Sequence, residues 1–251
     1  MNTADASATP PSFPPDWKPL PGSGPGVVPG DGEALLVLAQ LDVPPQRLDA
    51  LRASFAPREE ERFRSFATDA LRSRWGAARG TLREVLGAAV GCAPREVAFR
   101  YAAHGKPQLA NSPLRFNISH SGAVALIAVA RVEVGVDVEL PRPRRSDGIA
   151  RRFFAPGEIE RLFAIEDPER RADAFFRLWT CKEAFLKVTG EGLSRSTRSY
   201  EIAPDSSRLL WAVGIPDAAT RYSVYPLDVG DPYRAALVAE GPVRLLRYRW
   251  R

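Results

Sequence analysis

Val134-Gly135-Val136-Asp137-Val138-Glu139 is the stretch on which the reading of this chain turns. Side chains alternate between the two faces of a strand, so Asp137 and Glu139 share one face while Val136 and Val138 point the other way. Two like charges side by side repel, and a same-face carboxylate pair beside an apolar strand invites a hard cation. An exposed strand end with two solvated acids is the other reading of the same residues. The strand stands near the middle of a 251-residue chain, a length that suits one large domain or two small ones. Helical patterns and short antiparallel strands occur on both sides of it. The expected fold is therefore α+β, with two similar α/β lobes meeting near residue 135.

Upstream, Ala34-Leu35-Leu36-Val37-Leu38 reads as a core strand. Pro57 followed by Glu59, Glu60 and Glu61 reads as a helix start. The spacing predicts a long helix over Asp69–Val90, with Leu71, Trp75, Ala78, Leu82, Val85 and Ala89 on one face and Arg72, Arg79 and Arg83 off that stripe. Val97, Phe99 and Tyr101 alternate as a strand does, and so do Phe116 and Ile118. Val124–Val129 and Val134–Val138, joined by Arg131-Val132-Glu133, read as a hairpin. Residues 1–32 hold eight prolines and little apolar periodicity, so a flexible Pro/Gly-rich tail is expected there. The first lobe then spans 33–135.

Downstream, Pro141-Arg142-Pro143-Arg144-Arg145 reads as a loop. Helical patterns follow over 149–165 and 168–189, the second with a wide apolar face from Phe175, Phe176, Trp179, Phe185 and Leu186. Short strands are expected at 200–202, 209–213, 222–225, 235–239 and 243–247, and the second lobe spans 136–251. No internal repeat stands out.

Composition narrows the function classes. Hydrophobic residues make up 45% of the chain, enough for a sizeable core, and Lys plus Arg exceed Asp plus Glu by 35 to 30, a net charge of +5. So modest a surplus suits an acidic or phosphorylated partner without demanding one. Two cysteines without CxxC spacing, with two scattered histidines, cannot build a structural zinc site, and buried reduced thiols suit a reducing compartment. No run of 18 apolar residues and no secretory pattern is present, so a cytoplasmic protein with no membrane association is expected.

Three further segments carry candidate chemistry. In Trp179-Thr180-Cys181-Lys182-Glu183-Ala184-Phe185-Leu186-Lys187, Glu183 and Lys187 share a helix face; such a pair is common surface decoration, but here bulky apolar neighbours flank it. Glu183 could add a third oxygen to a cation held by Asp137 and Glu139. Phe116-Asn117-Ile118-Ser119-His120-Ser121-Gly122 ends a strand with small polar groups that suit a phosphate. Adjacent Ser and His diverge on a strand and no GxSxG is present, which excludes a serine hydrolase. Gly105-Lys106-Pro107 combines backbone access with a positive charge, as a phosphate loop does, though as a lone motif it is a turn found anywhere.

Taken in order, these segments, with Arg152-Phe153-Phe154 and Gly190-x-Gly192-Leu193-Ser194, resemble the phosphopantetheinyl transferases of the surfactin-synthetase-activating (Sfp-like) type. The resemblance covers residues 33–240. It implies a pseudo-twofold pair of α/β lobes with coenzyme A, the co-substrate, in the cleft between them. It implies Mg2+ held by Asp137, Glu139 and Glu183, with Lys187 on the pyrophosphate; the base for the acceptor serine is then Glu183, directly or through water, or a metal-bound water. Gly105, Lys106, Pro107, Ser119 and His120 would contact the coenzyme, and Arg62 and Arg72, with Ser73 beside them, its 3′-phosphate. The implied reaction is that of a holo-[acyl-carrier-protein] synthase. It moves 4′-phosphopantetheine to a serine of an apo acyl or peptidyl carrier protein of fatty-acid, polyketide or nonribosomal peptide synthesis and releases adenosine 3′,5′-bisphosphate. Two fused lobes imply a monomer, and Arg142, Arg144, Arg145 and Arg151 are candidates for docking an acidic carrier. The alternatives are a carrier-binding relative that does not catalyse and a basic nucleic-acid-binding module. Interspersed acids and the absence of any helix-turn-helix, RNP or zinc signature weigh against the latter.

Overall fold

Strand β2 (Glu33–Gln40) is apolar at six consecutive positions and buried on both faces, so it lies in the middle of a sheet with a core on each side. The computed structural model describes residues 13–20, 27–142, 146–203 and 205–250. In it β1 (Lys18–Pro19), β12 (Arg244–Trp250), β2, β6 (Val124–Ala130) and β5 (Arg115–Ser121) form one sheet in that order. A second sheet has the order β10 (Tyr222–Leu227), β11 (Arg234–Glu240), β7 (Val134–Glu139) and is antiparallel throughout. The sheets share an interior made by Leu36, Leu38, Leu126, Val136, Val138 and Leu237. The outer faces are covered by helices: α1 (Pro45–Arg52) and α3 (Asp69–Val90) on the first sheet, and α6 (Pro168–Thr189) on the second.

The two lobes repeat one element order. After β2 come α1, α2 (Pro57–Arg64), α3, the hairpin β3–β4 (Phe99–Tyr101, Pro107–Leu109), β5 and β6. After β7 come α4 (Ser146–Phe153), α5 (Pro156–Phe163), α6, the hairpin β8–β9 (Tyr200–Ile202, Leu209–Ala212), a short α7 (Ala218–Arg221), β10 and β11. The sheets follow suit, β5-β6-β2 answering β10-β11-β7. This repeat is written in the sequence after all. Phe55-Ala56-Pro57-Arg58-Glu59-Glu60-Glu61-Arg62 recurs as Phe154-Ala155-Pro156-Gly157-Glu158-Ile159-Glu160-Arg161, and the same spacing carries Arg83 onto Lys182 and Gly91 onto Gly190.

Each copy does the same physical work. The proline opens a helix at a position where its missing N–H is no loss. The glutamate two residues on bonds back to the backbone N–H of Ala56 (2.7 Å) or Ala155 (2.8 Å). It also takes a buried cation of the long helix, with Arg79 added at Glu59 and the Ile202 N–H added at Glu158. Arg83 donates to Glu59 at 2.7 Å, and also to the carbonyls of Pro94 and Val97. Lys182, 0% exposed, donates to Glu158 at 2.8 and 2.9 Å and to the Tyr200 carbonyl at 3.1 Å. Arg83 therefore lies inside the lobe, paired, rather than on a solvated face. Both long helices stop at a glycine in the left-handed region, Gly91 and Gly190.

Four features depart from the expectations above. The expected hairpin at Arg131–Glu133 is a crossover, because β6 and β7 belong to different sheets. The Glu133 carboxylate is held there by Lys106 and Arg115. The single helical pattern over 149–165 is broken by Pro156 into α4 and α5. The last strand, β12, leaves the second lobe and runs parallel to β2; without it, the second edge of a strand buried on both faces would leave its backbone groups unpaired. Within the expected tail, Trp17 is 2% exposed and its indole N–H donates to the Asp228 carbonyl at 2.9 Å. Residues 1–12 and 21–26 of the tail lie outside the described residues, as do Arg144 and Arg145.

Candidate active site

The site forms where the two sheets meet. β7 is the edge strand of its sheet and β5 the edge strand of the other, and side chains rather than a backbone ladder join them. Asn117, Ser119 and Ser121 alternate along β5 and so point the same way. Asn117 Oδ1 accepts from Val136 N (2.9 Å), Ser119 Oγ donates to Asp137 Oδ1 (2.8 Å) and Ser121 Oγ donates to Glu139 Oε2 (2.9 Å) while accepting from Leu140 N (3.1 Å). The polar motif of β5 thus orients both acids of β7.

Helix α6 supplies the other wall, and Gly135 lets it come close. A Cβ at Gly135 would lie 2.5 Å from Val188 N and 3.0 Å from Lys187 C, nearer still to the Ala184 carbonyl oxygen. Only a residue without a side chain permits this approach. Lys187 then reaches Asp137 Oδ1 (2.7 Å), Ser119 Oγ (2.9 Å) and the Val136 carbonyl (3.0 Å). Glu183, one turn earlier, faces the same charges. Burial and then the charge of Asp137 raise its carboxyl, against the pull of Lys187. Glu139 is pushed up to about 7 by burial first and Asp137 second, with Ser121 and Lys187 opposing and Glu183 adding to the rise. Asp137, Glu139, Glu183 and Lys187, drawn from two distant segments, therefore feel one another's charge.

Asp137 is 4% exposed, and its Oδ2 is buried without a hydrogen-bond partner among the described residues. Among the described residues no three His, Cys, Asp or Glu side chains form a ready-made metal cage. An orphaned carboxylate oxygen beside two acids with raised pKa values nevertheless fits a hard divalent ion. Mg2+ is bound by one or two carboxylates together with water and substrate phosphates rather than by an all-protein cage.

The other candidates are placed as follows. His120 is exposed beside this site, its pKa lowered by burial of the ring's surroundings and then by Lys187. Gly105 takes φ +82° in the turn between β3 and β4, and that loop reaches the end of α6, where the Lys106 stem lies against Gly190. The Lys106 ammonium itself is bonded to Glu133 and to the carbonyls of Val134 and Val188. Pro107 is half-buried. Arg62 stacks over Phe66, and Arg72 bonds Asp69 (2.5 Å) and the Phe66 carbonyl (3.0 Å); no contact links either to the acids. Sequence reasoning passed over Arg74. It bonds Asp42 (2.7 and 3.0 Å), and its charge reaches Tyr233, whose hydroxyl accepts from Ala123 N in the turn after Ser121. Two residues beyond Arg72 on a helix, it faces another way, which an offset in the helical register would have revealed.

The lobe repeat shows how one-sided the site is. The spacing that aligns the lobes puts Leu38 and Gln40 of β2 opposite Asp137 and Glu139, and Ala88 opposite Lys187. Glu84, opposite Glu183, is paired with Arg47 at 2.7 Å. In the first lobe the corresponding strand edge is covered by β12.

Comparison with known proteins agrees with this picture. The profile of the 4′-phosphopantetheinyl transferase superfamily matches residues 133–238. The chain is 40% identical to the 4′-phosphopantetheinyl transferase HetI of Nostoc over 71% of this chain and 76% of that protein. It is 32% identical to a 4′-phosphopantetheinyl transferase of Bacillus subtilis over 77% of this chain and 86% of that protein. A holo-[acyl-carrier-protein] synthase structure from Thermotoga maritima aligns over 44% of this chain and 64% of that one, at 24% identity and a TM-score of 0.35, too low to bear on the argument. With these two relatives each matched over more than two thirds of both chains, and the 4′-phosphopantetheinyl transferase Sfp of Bacillus subtilis 31% identical over 59% of this chain and 65% of that protein, the chain belongs to the 4′-phosphopantetheinyl transferase superfamily and, within it, to the Sfp type.

Proposed function

We propose that this protein transfers the 4′-phosphopantetheine arm of coenzyme A to a serine of an apo acyl or peptidyl carrier protein, giving holo carrier and adenosine 3′,5′-bisphosphate. The observation that carries the reading is the convergence of Asp137, Glu139, Glu183 and Lys187 at the seam between the lobes. Asp137, through its free Oδ2, with Glu139 and Glu183 would hold Mg2+, which when bound supplies positive charge to the pyrophosphate oxygens. Ser119 and Ser121 keep the β7 acids in place, and Ser119 also steers the Lys187 ammonium. Lys187 lies beside those acids as a point charge for the same oxygens. The carrier serine attacks the phosphorus that bears pantetheine, and its oxygen–phosphorus bond forms as the bridging bond to adenosine bisphosphate breaks. Glu183, directly or through a water, would take the hydroxyl proton. The backbone of Gly105–Pro107 and the exposed His120 would contact the coenzyme.

The reading includes a monomeric, cytoplasmic enzyme. No helix among the described residues is long and apolar enough to cross a membrane. Arg142 and Arg151 are both exposed, Arg151 with its guanidinium over the Phe163 ring, and both stay candidates for meeting an acidic carrier. Mass spectrometry of an apo carrier incubated with coenzyme A and Mg2+ tests the proposal. Wild-type protein adds one phosphopantetheine per carrier, while Asp137→Ala and Glu183→Gln leave it unmodified. Full loading by either variant removes the assigned roles. Mg2+-dependent thermal stabilisation by coenzyme A without any loading would instead mark a relative that binds but does not catalyse.

A further inference from the structure

Lys106 is a buried cation that the proposed chemistry leaves unused. Its side chain is 9% exposed. The ammonium has three protons and meets three acceptors: Glu133 Oε2 (2.7 Å), the Val188 carbonyl (3.2 Å) and the Val134 carbonyl (3.3 Å). These belong to different elements. Glu133 and Val134 lead into β7, which carries Asp137 and Glu139. Val188 follows Lys187 in the last turn of α6, where helix carbonyls have no partner of their own and where a cation also suits the helix dipole. Lys106 itself comes from the β3–β4 loop of the other lobe. To reach a phosphate it would have to leave the Glu133 carboxylate and an end-of-helix carbonyl without their shared donor.

We propose that Lys106 is a positioning residue. It clamps the last turn of α6 to the head of β7 and so holds Glu183 and Lys187 over the β7 acids, while its ammonium does not touch the coenzyme. The kinetic half of this proposal rests on the transferase reading; the structural half does not. Gly190 and Glu133 fit the same role. The stem of Lys106 runs past Gly190, with its Cδ 3.4 Å from where a Cβ would stand, and Glu133 is braced from its other oxygen by Arg115 at 2.8 Å.

Lys106→Met keeps the apolar stem and deletes the three donors. In coenzyme-free protein, amide hydrogen exchange over 184–189 should rise about tenfold, while the C-terminal half of α3 stays unchanged. In carrier loading, kcat should fall about tenfold or more and KM for coenzyme A should stay within about twofold. Unchanged exchange in the coenzyme-free variant overturns the clamp. So does a raised KM with kcat intact, the signature of a lost phosphate contact. Should Lys106→Met not fold, Glu133→Gln removes the charged anchor but keeps the ammonium. A smaller rise in exchange over the same residues is expected, and wild-type exchange there overturns the proposal. If wild-type protein loads no carrier, the transferase reading fails, and the exchange measurement still decides the clamp.

Discussion

Gly135→Ala is the sharpest perturbation of the site that substitutes no charged residue. The added methyl would stand 2.5 Å from Val188 N and 3.0 Å from Lys187 C, both backbone atoms of α6 that cannot swing aside as a side-chain tip can. Ordinary contact lies near ~3.5 Å, so relief requires α6 to lift by about 1 Å from β7. That movement breaks the 2.7 Å pairing of Lys187 with Asp137 and draws Glu183 away from the β7 acids. Overpacking of this kind costs about 1–3 kcal/mol of stability. A displacement of about 1 Å in a catalytic constellation costs about 100-fold in rate, or about 2.7 kcal/mol of barrier. The assay is the initial rate of carrier loading at saturating coenzyme A, alongside a thermal melt. Gly148→Ala is the control, since a methyl there, in helix α4, meets none of the described residues within 4 Å and should leave both readings at or slightly above wild type. Wild-type kcat for Gly135→Ala, with a melting temperature unmoved by more than about 2 °C, would refute the close-approach argument.

Other consequences concern the paired buried ions that anchor the long helices. Glu158→Gln or Lys182→Met should each lower stability by about 3–5 kcal/mol in denaturant titration, because each strands a fully buried charge; the double variant should recover part of the loss, and recovery of none refutes the pairing. Glu59 makes a pH prediction. Burial raises its pKa, but the bonds from Arg83 and Ala56 and the charge of Arg79 outweigh it, so the folded value lies below the ordinary one. A depressed carboxylate adds stability above its unfolded pKa and loses it as pH falls through the folded value. Acid titration below about pH 4.5 should therefore erode wild-type stability more steeply than that of Glu59→Gln, and parallel curves contradict it.

Much of the architecture is legible in residue spacing, and the failures have physical causes. Helix α3 spans Asp69–Val90 as its spacing predicts, capped by Thr68 and stopped by Gly91, although Leu71 at the head of the expected apolar stripe is exposed. The shared face of Asp137 and Glu139 follows from strand geometry alone. The lobe repeat is faint because burial needs only apolar character at most positions, which leaves identity mainly at Phe-Ala-Pro-x-Glu-x-Glu-Arg and at the glycine that closes each long helix, with a cation kept at Arg83 and Lys182. The crossover at Arg131–Glu133 could not be told from a hairpin, since both need a short polar connection between apolar runs. The return of β12 to the first sheet depends on which edge is free, a property of the assembled sheet. Lys106 has the charge and loop setting of a phosphate contact, and only its distance from Val188 in space shows that it meets a helix end instead.

The central claim, that three acids from β7 and α6 hold one divalent ion against a diphosphate, is tested most directly by anomalous diffraction from crystals grown with coenzyme A and Mn2+ in place of Mg2+. The account predicts a metal peak between Asp137 and Glu139 or Glu183, at ~2.0–2.3 Å from their oxygens and next to the pyrophosphate. A bound coenzyme whose pyrophosphate and metal lie away from these carboxylates would contradict it.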